Sequence, residues 1–111
     1  MSFYRKLLIG CLTCLLSQAA WAVKIDTVET YSASMKKSIK AVVITPDSYD
    51  GNKEFPVVYL LHGYSDSYNG WVKKAPFMRE AADMYQTIIV CPDGGFSSWY
   101  WDSPVDPTMR Y

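Results

Sequence analysis

The sequence predicts an α/β fold, and three observations carry that prediction. Two short apolar runs rich in β-formers, Val57–Leu61 and Thr87–Cys91, have the composition of strands covered on both faces. Between them Met78, Ala81, Ala82 and Tyr85 recur at the i, i+3, i+4, i+7 spacing of one helix face. Strand, helix, strand within about 35 residues is a βαβ unit, which implies parallel neighbouring strands and a right-handed crossover.

The remaining elements follow in chain order. Residues 1–22 read as an export signal. Arg5 and Lys6 give a positive start, Leu7–Leu16 is a mostly apolar core, and Ala20 and Ala22 put small residues where a signal peptidase needs them. Cleavage is expected after Ala22. An apolar run of about ten residues is too short for a membrane span, which takes roughly 20. Leu8-Ile9-Gly10-Cys11 resembles a lipidation site, but only four residues separate Lys6 from Cys11, fewer than a signal core needs. No membrane association is expected once the signal is removed, and the protein is expected to be periplasmic or secreted.

The chain from Val23 to Tyr111 is read as one unit. Lys24–Tyr31 and Ser38–Thr45 form two β segments joined through Ser34–Lys37, a β-hairpin. The second places Ile39, Ala41, Val43 and Thr45 on one face, as a half-buried strand does. Pro46–Lys53 is a loop, with Asp50-Gly51 its tightest turn. The βαβ unit follows, with Pro76 near the helix start, where its missing N–H costs nothing. Pro92–Tyr111 then shows Gly94-Gly95, three prolines and no periodicity. A structureless stretch this long usually serves a site. Parallel sheets need helices on both faces, and the pattern supplies one helix. The sheet is therefore expected to be incomplete and the chain to be the N-terminal portion of a larger domain.

Charge and cysteines narrow the function classes. The whole chain carries 11 basic and 11 acidic residues; without Arg5 and Lys6 the balance is nine against eleven, a net charge of −2. No basic cluster suggests nucleic acid. Cys11 and Cys14 fall in the signal, so Cys91 stands alone and is expected to be a buried small hydrophobe. No metal-ligand cluster, phosphate-binding glycine loop or dinucleotide fingerprint is present, so no cofactor or metal is implied.

The chemistry concentrates where the first apolar run meets Leu61-His62-Gly63-Tyr64-Ser65-Asp66. Ester hydrolysis turns a carbonyl oxygen into an anion, and preorganised backbone N–H groups can stabilise it. Gly63 allows a sharp turn that points the Tyr64 N–H into a site; the plainer reading is an ordinary strand-end turn. Gly95-Phe96-Ser97-Ser98-Trp99 approaches a nucleophile elbow, but Trp99 replaces its last glycine and no helix follows Ser97. Ser65 and Ser67 fit turn formers better than nucleophiles. Trp71, Trp99, Tyr100 and Tyr68 either pack the loop onto the sheet or line a cleft, and Asp102 either bonds a substrate hydroxyl or caps a turn.

Taken in order, Val58–Gly63, Tyr68-Asn69-Gly70-Trp71, Pro92-Asp93-Gly94-Gly95 and Ser98-Trp99-Tyr100 resemble the putative esterase family of α/β-hydrolases. That family includes S-formylglutathione hydrolases (esterase D), feruloyl and acetyl-xylan esterases and antigen 85 mycolyltransferases. The resemblance covers roughly residues 27–111. It implies an α/β-hydrolase fold with a nucleophilic serine on a later strand–turn–helix elbow, then an acid, then a histidine. Tyr64 corresponds to the first oxyanion donor. His62, where some relatives carry Asp, belongs to the oxyanion turn and is not the triad base, because it precedes any elbow. The second donor and the triad would lie beyond Tyr111.

The resemblance therefore implies a serine esterase acting on small-molecule or polysaccharide-linked acyl esters through an acyl-enzyme, and the signal segment adds the expectation that it is exported. An acyltransferase to a sugar is the variant within the family. The alternative from another class is a non-catalytic protein whose aromatic loop binds carbohydrate.

Overall fold

A computed structural model describes residues 24–105; the expected export signal lies outside the described residues. The elements are β1 (Lys24–Ser32), β2 (Lys37–Thr45), β3 (Val57–Tyr59), α1 (Gly70–Lys74), α2 (Met78–Met84) and β4 (Ile88–Pro92). They form one four-stranded mixed sheet of order β1-β2-β4-β3. The hairpin is antiparallel, with Val28 opposite Ala41, and its turn is closed by Lys36 in the left-handed region (φ 53°). β2 pairs antiparallel with β4, and β3 pairs parallel with β4, with Val58 beside Ile89. The parallel pair with a helical crossover is the βαβ unit that the periodicity predicts.

Both helices lie on one face of the sheet. Val42 and Ile44 of β2, Ile89 and Cys91 of β4, and Ala75, Met78 and Ala82 from the helical layer make the core. Val42 faces Cys91 and Ile44 faces Ile89 across the ladder, so the buried side chains fall on one side of the pleat. Cys91 is 1% exposed, a packed apolar group as expected.

Three sequence expectations need correction. In β2 the core face is Val42 and Ile44; Ile39, Ala41, Val43 and Thr45 face the other way and are mostly half-buried. An apolar residue stands at every position from 41 to 44, so alternation could not pick the face, and the helices decided it. β3 is shorter than Val57–Leu61 and is not covered on both faces: it is an edge strand with Tyr59 68% exposed. Finally, two helices cross between β3 and β4, not one. Gly70–Lys74 is a single turn with no apolar periodicity to announce it.

The second helix stops for a legible reason. Gln86 takes a left-handed conformation (φ 47°), its N–H donates to the Asp83 carbonyl, and the Thr87 N–H reaches back to Ala82 at 3.0 Å. That is a Schellman ending. It turns the chain before Tyr85 can reach the core, leaving that ring 73% exposed although it shares the periodicity of Met78 and Ala82.

Candidate active site

Parallel β3 and β4 end at the same edge of the sheet, the place where open α/β sheets bind ligands. Two turns leave that edge: residues 60–66 after β3 and residues 93–101 after β4. The Leu60 N–H still donates to the Val90 carbonyl at 2.8 Å, and the chains separate beyond it. The turns then meet again, because the Ser65 N–H donates to the Phe96 carbonyl at 2.8 Å. Between them lies a cleft of about 100 Å³, walled by His62, Gly63, Tyr64, Gly94, Phe96 and Trp99.

His62 locks the floor of this cleft. Its residue is 8% exposed, and both ring nitrogens face the main chain. Nδ1 lies 2.8 Å from the Gly63 carbonyl, which can only accept, and Nε2 lies 2.9 Å from the Gly94 N–H, which can only donate. The ring therefore carries its proton on Nδ1. Asp93 Oδ1, 3.3 Å from Nε2, takes the Gly95 N–H at 2.8 Å. A ring held this way has no free nitrogen to deprotonate a nucleophile.

Tyr100 is fastened beside it. Its hydroxyl accepts the His62 N–H at 3.0 Å and donates to the Pro92 carbonyl at 3.3 Å. Burial pushes its phenol above the usual tyrosine value. Its ring lines the cleft and covers Gly94, where any Cβ would overlap it. Trp99 and Tyr100 both adopt left-handed backbone (φ 56° and 54°), an uncommon strain for two consecutive bulky residues. Ser98 holds the bend, its hydroxyl bonding to the Gly94 carbonyl and accepting the Tyr100 N–H at 3.3 Å.

On the opposite wall the Tyr64 N–H finds no acceptor among the described residues, and Tyr64 borders the cleft. Its ring stacks on Trp99 (5.8 Å, 27°) and meets Phe96 edge-on at 5.3 Å. The turn itself is made differently from the expectation. Ser65, not Gly63, takes the left-handed conformation (φ 61°). A Cβ on Gly63 would meet nothing within 4 Å, so this glycine leaves room in the cleft instead of enabling the bend. Gly70 has the opposite role: a side chain there would overlap the Asp66 carboxylate. That carboxylate pairs with Lys74 at 2.6 Å, and the hydrogen bond holds it below the usual aspartate value.

The structure thus brings together His62, Gly63, Tyr64, Trp99 and Tyr100. Trp71 is elsewhere: its Nε1–H donates to the Leu61 carbonyl at 3.0 Å and its ring lines a separate apolar hollow with Val58, Met78 and Tyr85. Asp102 is exposed and is not part of the cleft wall. Ser97 lines the cleft within a turn that no helix follows among the described residues, which is not the setting of an elbow. Ser67 bonds to Asn69 at 2.7 Å, as a turn former does. The wall residue that sequence reading passed over is Phe96, and the signal that could have found it is its place just after Gly94-Gly95 at a parallel strand end. Among the described residues no group of three or more His, Cys, Asp or Glu could hold a metal ion, and no helix is long and apolar enough to cross a membrane.

Comparison with known proteins agrees with this geometry. The family described as Putative esterase matches residues 32–111. A ferulic acid esterase is 26% identical with a TM-score of 0.64, over 75% of this chain and 37% of its own. The ferulic acid esterase of Anaeromyces mucronatus is 26% identical with a TM-score of 0.53, over 72% of this chain and 32% of its own. An S-formylglutathione hydrolase from Agrobacterium tumefaciens, 19% identical, shares the fold with a TM-score of 0.65 over 85% of this chain and 39% of its own. No curated protein sequence matches. The chain spans about a third of the length of these solved structures.

Proposed function

This chain belongs to the Putative esterase family of α/β-hydrolases, and on that premise we propose that it is the N-terminal part of an exported serine esterase. The observation that carries the reading is the Tyr64 amide. It is a backbone donor without an acceptor among the described residues, at the wall of a cleft at the carboxyl edge of parallel strands.

In this reading the nucleophilic serine, the acid and the histidine follow Tyr111 in the chain. The serine Oγ attacks the ester carbonyl carbon as its proton passes to the histidine. The carbonyl oxygen becomes an anion and takes the Tyr64 N–H and the N–H that follows the nucleophile. Collapse expels the alcohol, which receives the proton from the histidine, and water then hydrolyses the acyl-enzyme. The Tyr64 donor needs no movement to act, since its turn is held by the Ser65–Phe96 bond. The stacked Tyr64 and Trp99 rings support an acetyl or planar aromatic acyl group at this wall, on a small molecule or a polysaccharide. Export through residues 1–22, with cleavage after Ala22, fits a polysaccharide substrate outside the cytoplasm.

The test is hydrolysis of p-nitrophenyl acetate and methyl ferulate by the full-length protein and three variants. Tyr64→Pro, which deletes the N–H, should lower kcat by about 10²–10³. Tyr64→Phe and Tyr64→Ala, which keep the N–H, should lose far less. Equal losses from all three would move the role to the side chain. No hydrolysis of either ester, together with binding of xylan oligosaccharides, would replace the esterase by the carbohydrate-binding alternative.

A further inference from the structure

We propose that Tyr100 is a positioning residue that sets the turn after β3 against the turn after β4 and so aims the Tyr64 N–H into the cleft; the catalytic part of this statement rests on the esterase reading.

Four observations converge on Tyr100. Its hydroxyl bridges the two strand ends through one side-chain atom, accepting from His62 at 3.0 Å and donating to Pro92 at 3.3 Å. The donor it engages is the main-chain amide two residues before Tyr64, so the hydroxyl restrains the turn from its base. Its ring fills the space above Gly94, where only a glycine leaves room for it. Gly94 in turn donates to His62 Nε2 at 2.9 Å, and that ring closes on the Gly63 carbonyl. The loop is thus closed from Tyr100 to His62, to Gly94 and back to the Tyr100 ring.

The strained backbone at residues 99 and 100 fits the same role. Two consecutive left-handed residues persist only where the surroundings over-determine them. Here the Ser98 hydroxyl, bonded to both Gly94 and Tyr100, holds that bend. The bend turns Tyr100 inward beneath the cleft while Trp99, 73% exposed, stacks on Tyr64 from outside. The His62 N–H and the Pro92 carbonyl that hold Tyr100's hydroxyl are main-chain groups, so the hydroxyl organises the turn.

The experiment uses the full-length protein and Tyr100→Phe, which keeps the ring and deletes the hydroxyl. Two readouts are taken: ester hydrolysis, and amide hydrogen exchange at His62, Ser65 and Gly94. The expected result is a kcat about tenfold lower with KM within about twofold, since slight misplacement of an oxyanion donor acts on the transition state. Exchange should rise about tenfold or more at Ser65 and Gly94 as well as at His62. Gly94→Ala, which displaces the same ring, should give the same pattern. Exchange that rises at His62 alone, or an unchanged kcat in an active enzyme, overturns the proposal. If the wild-type protein hydrolyses no ester, the esterase reading fails separately, and the exchange pattern still decides whether Tyr100 couples the two turns.

Discussion

Replacing His62 by alanine measures how firmly the two turns are tied together. The side chain is 2% exposed and bonds at both nitrogens, so its removal has three separable consequences. The Gly94 N–H, in a buried residue, loses its acceptor, which costs about 1–3 kcal/mol. The Gly63 carbonyl also loses its partner, but Gly63 is exposed and water replaces the bond at little cost. The missing ring leaves a void on the order of 60 Å³, worth roughly 1.5 kcal/mol at ~24 cal/mol per Å³. The sum is about 2.5–4.5 kcal/mol, large for a single substitution. Equilibrium urea unfolding of the full-length protein reads it directly, as a fall in midpoint at unchanged slope. A loss under about 1 kcal/mol would refute the argument, because it would mean that Gly94 finds another acceptor and that His62 fastens nothing.

Two further outcomes are expected. Asp66 is held below the usual value of 3.8 by its hydrogen bond to Lys74, so the pair contributes above pH 3.8 and the contribution disappears as pH falls through the lowered folded value. Melting temperatures of wild type and Asp66→Asn across pH 2–7 should therefore differ at neutral pH and converge in acid; a difference that grows in acid would contradict the assignment. Cys91 is buried, and desolvation raises its thiol above the usual value of 9.0. Iodoacetamide at pH 8 should label it roughly a hundredfold more slowly in the native protein than in urea, read by intact mass. Equal rates would place Cys91 at the surface.

Much of the fold is legible in the sequence because local chemistry dictates it. The hairpin, the parallel strands and the main helix follow from β-branched runs, helical spacing and turn residues that act over a few positions. His62-Gly63-Tyr64 at the end of an apolar strand also marks the candidate oxyanion turn without any coordinates. The face of β2 that enters the core was not legible, because Val42 and Val43 are equally apolar and only the docking of Met78 and Ala82 separates them. Tyr85 misled for a related reason: helical spacing counts residues, whereas the left-handed Gln86 ended the helix one residue earlier.

The site divides along the same line. Residue type and order determined that a backbone donor at Tyr64, a glycine pair after β4 and a group of aromatic rings would lie near the sheet edge. Only the tertiary structure decided which rings share the cleft: Trp99 and Phe96 do, and Trp71 does not. It also decided that the bend belongs to Ser65, and that His62 and Tyr100 are joined across thirty-eight residues of chain. The physical reason is range. Strand and helix patterns are set by neighbours in sequence, whereas a hydrogen bond between two turns exists only once the parallel ladder of β3 and β4 has brought their ends together.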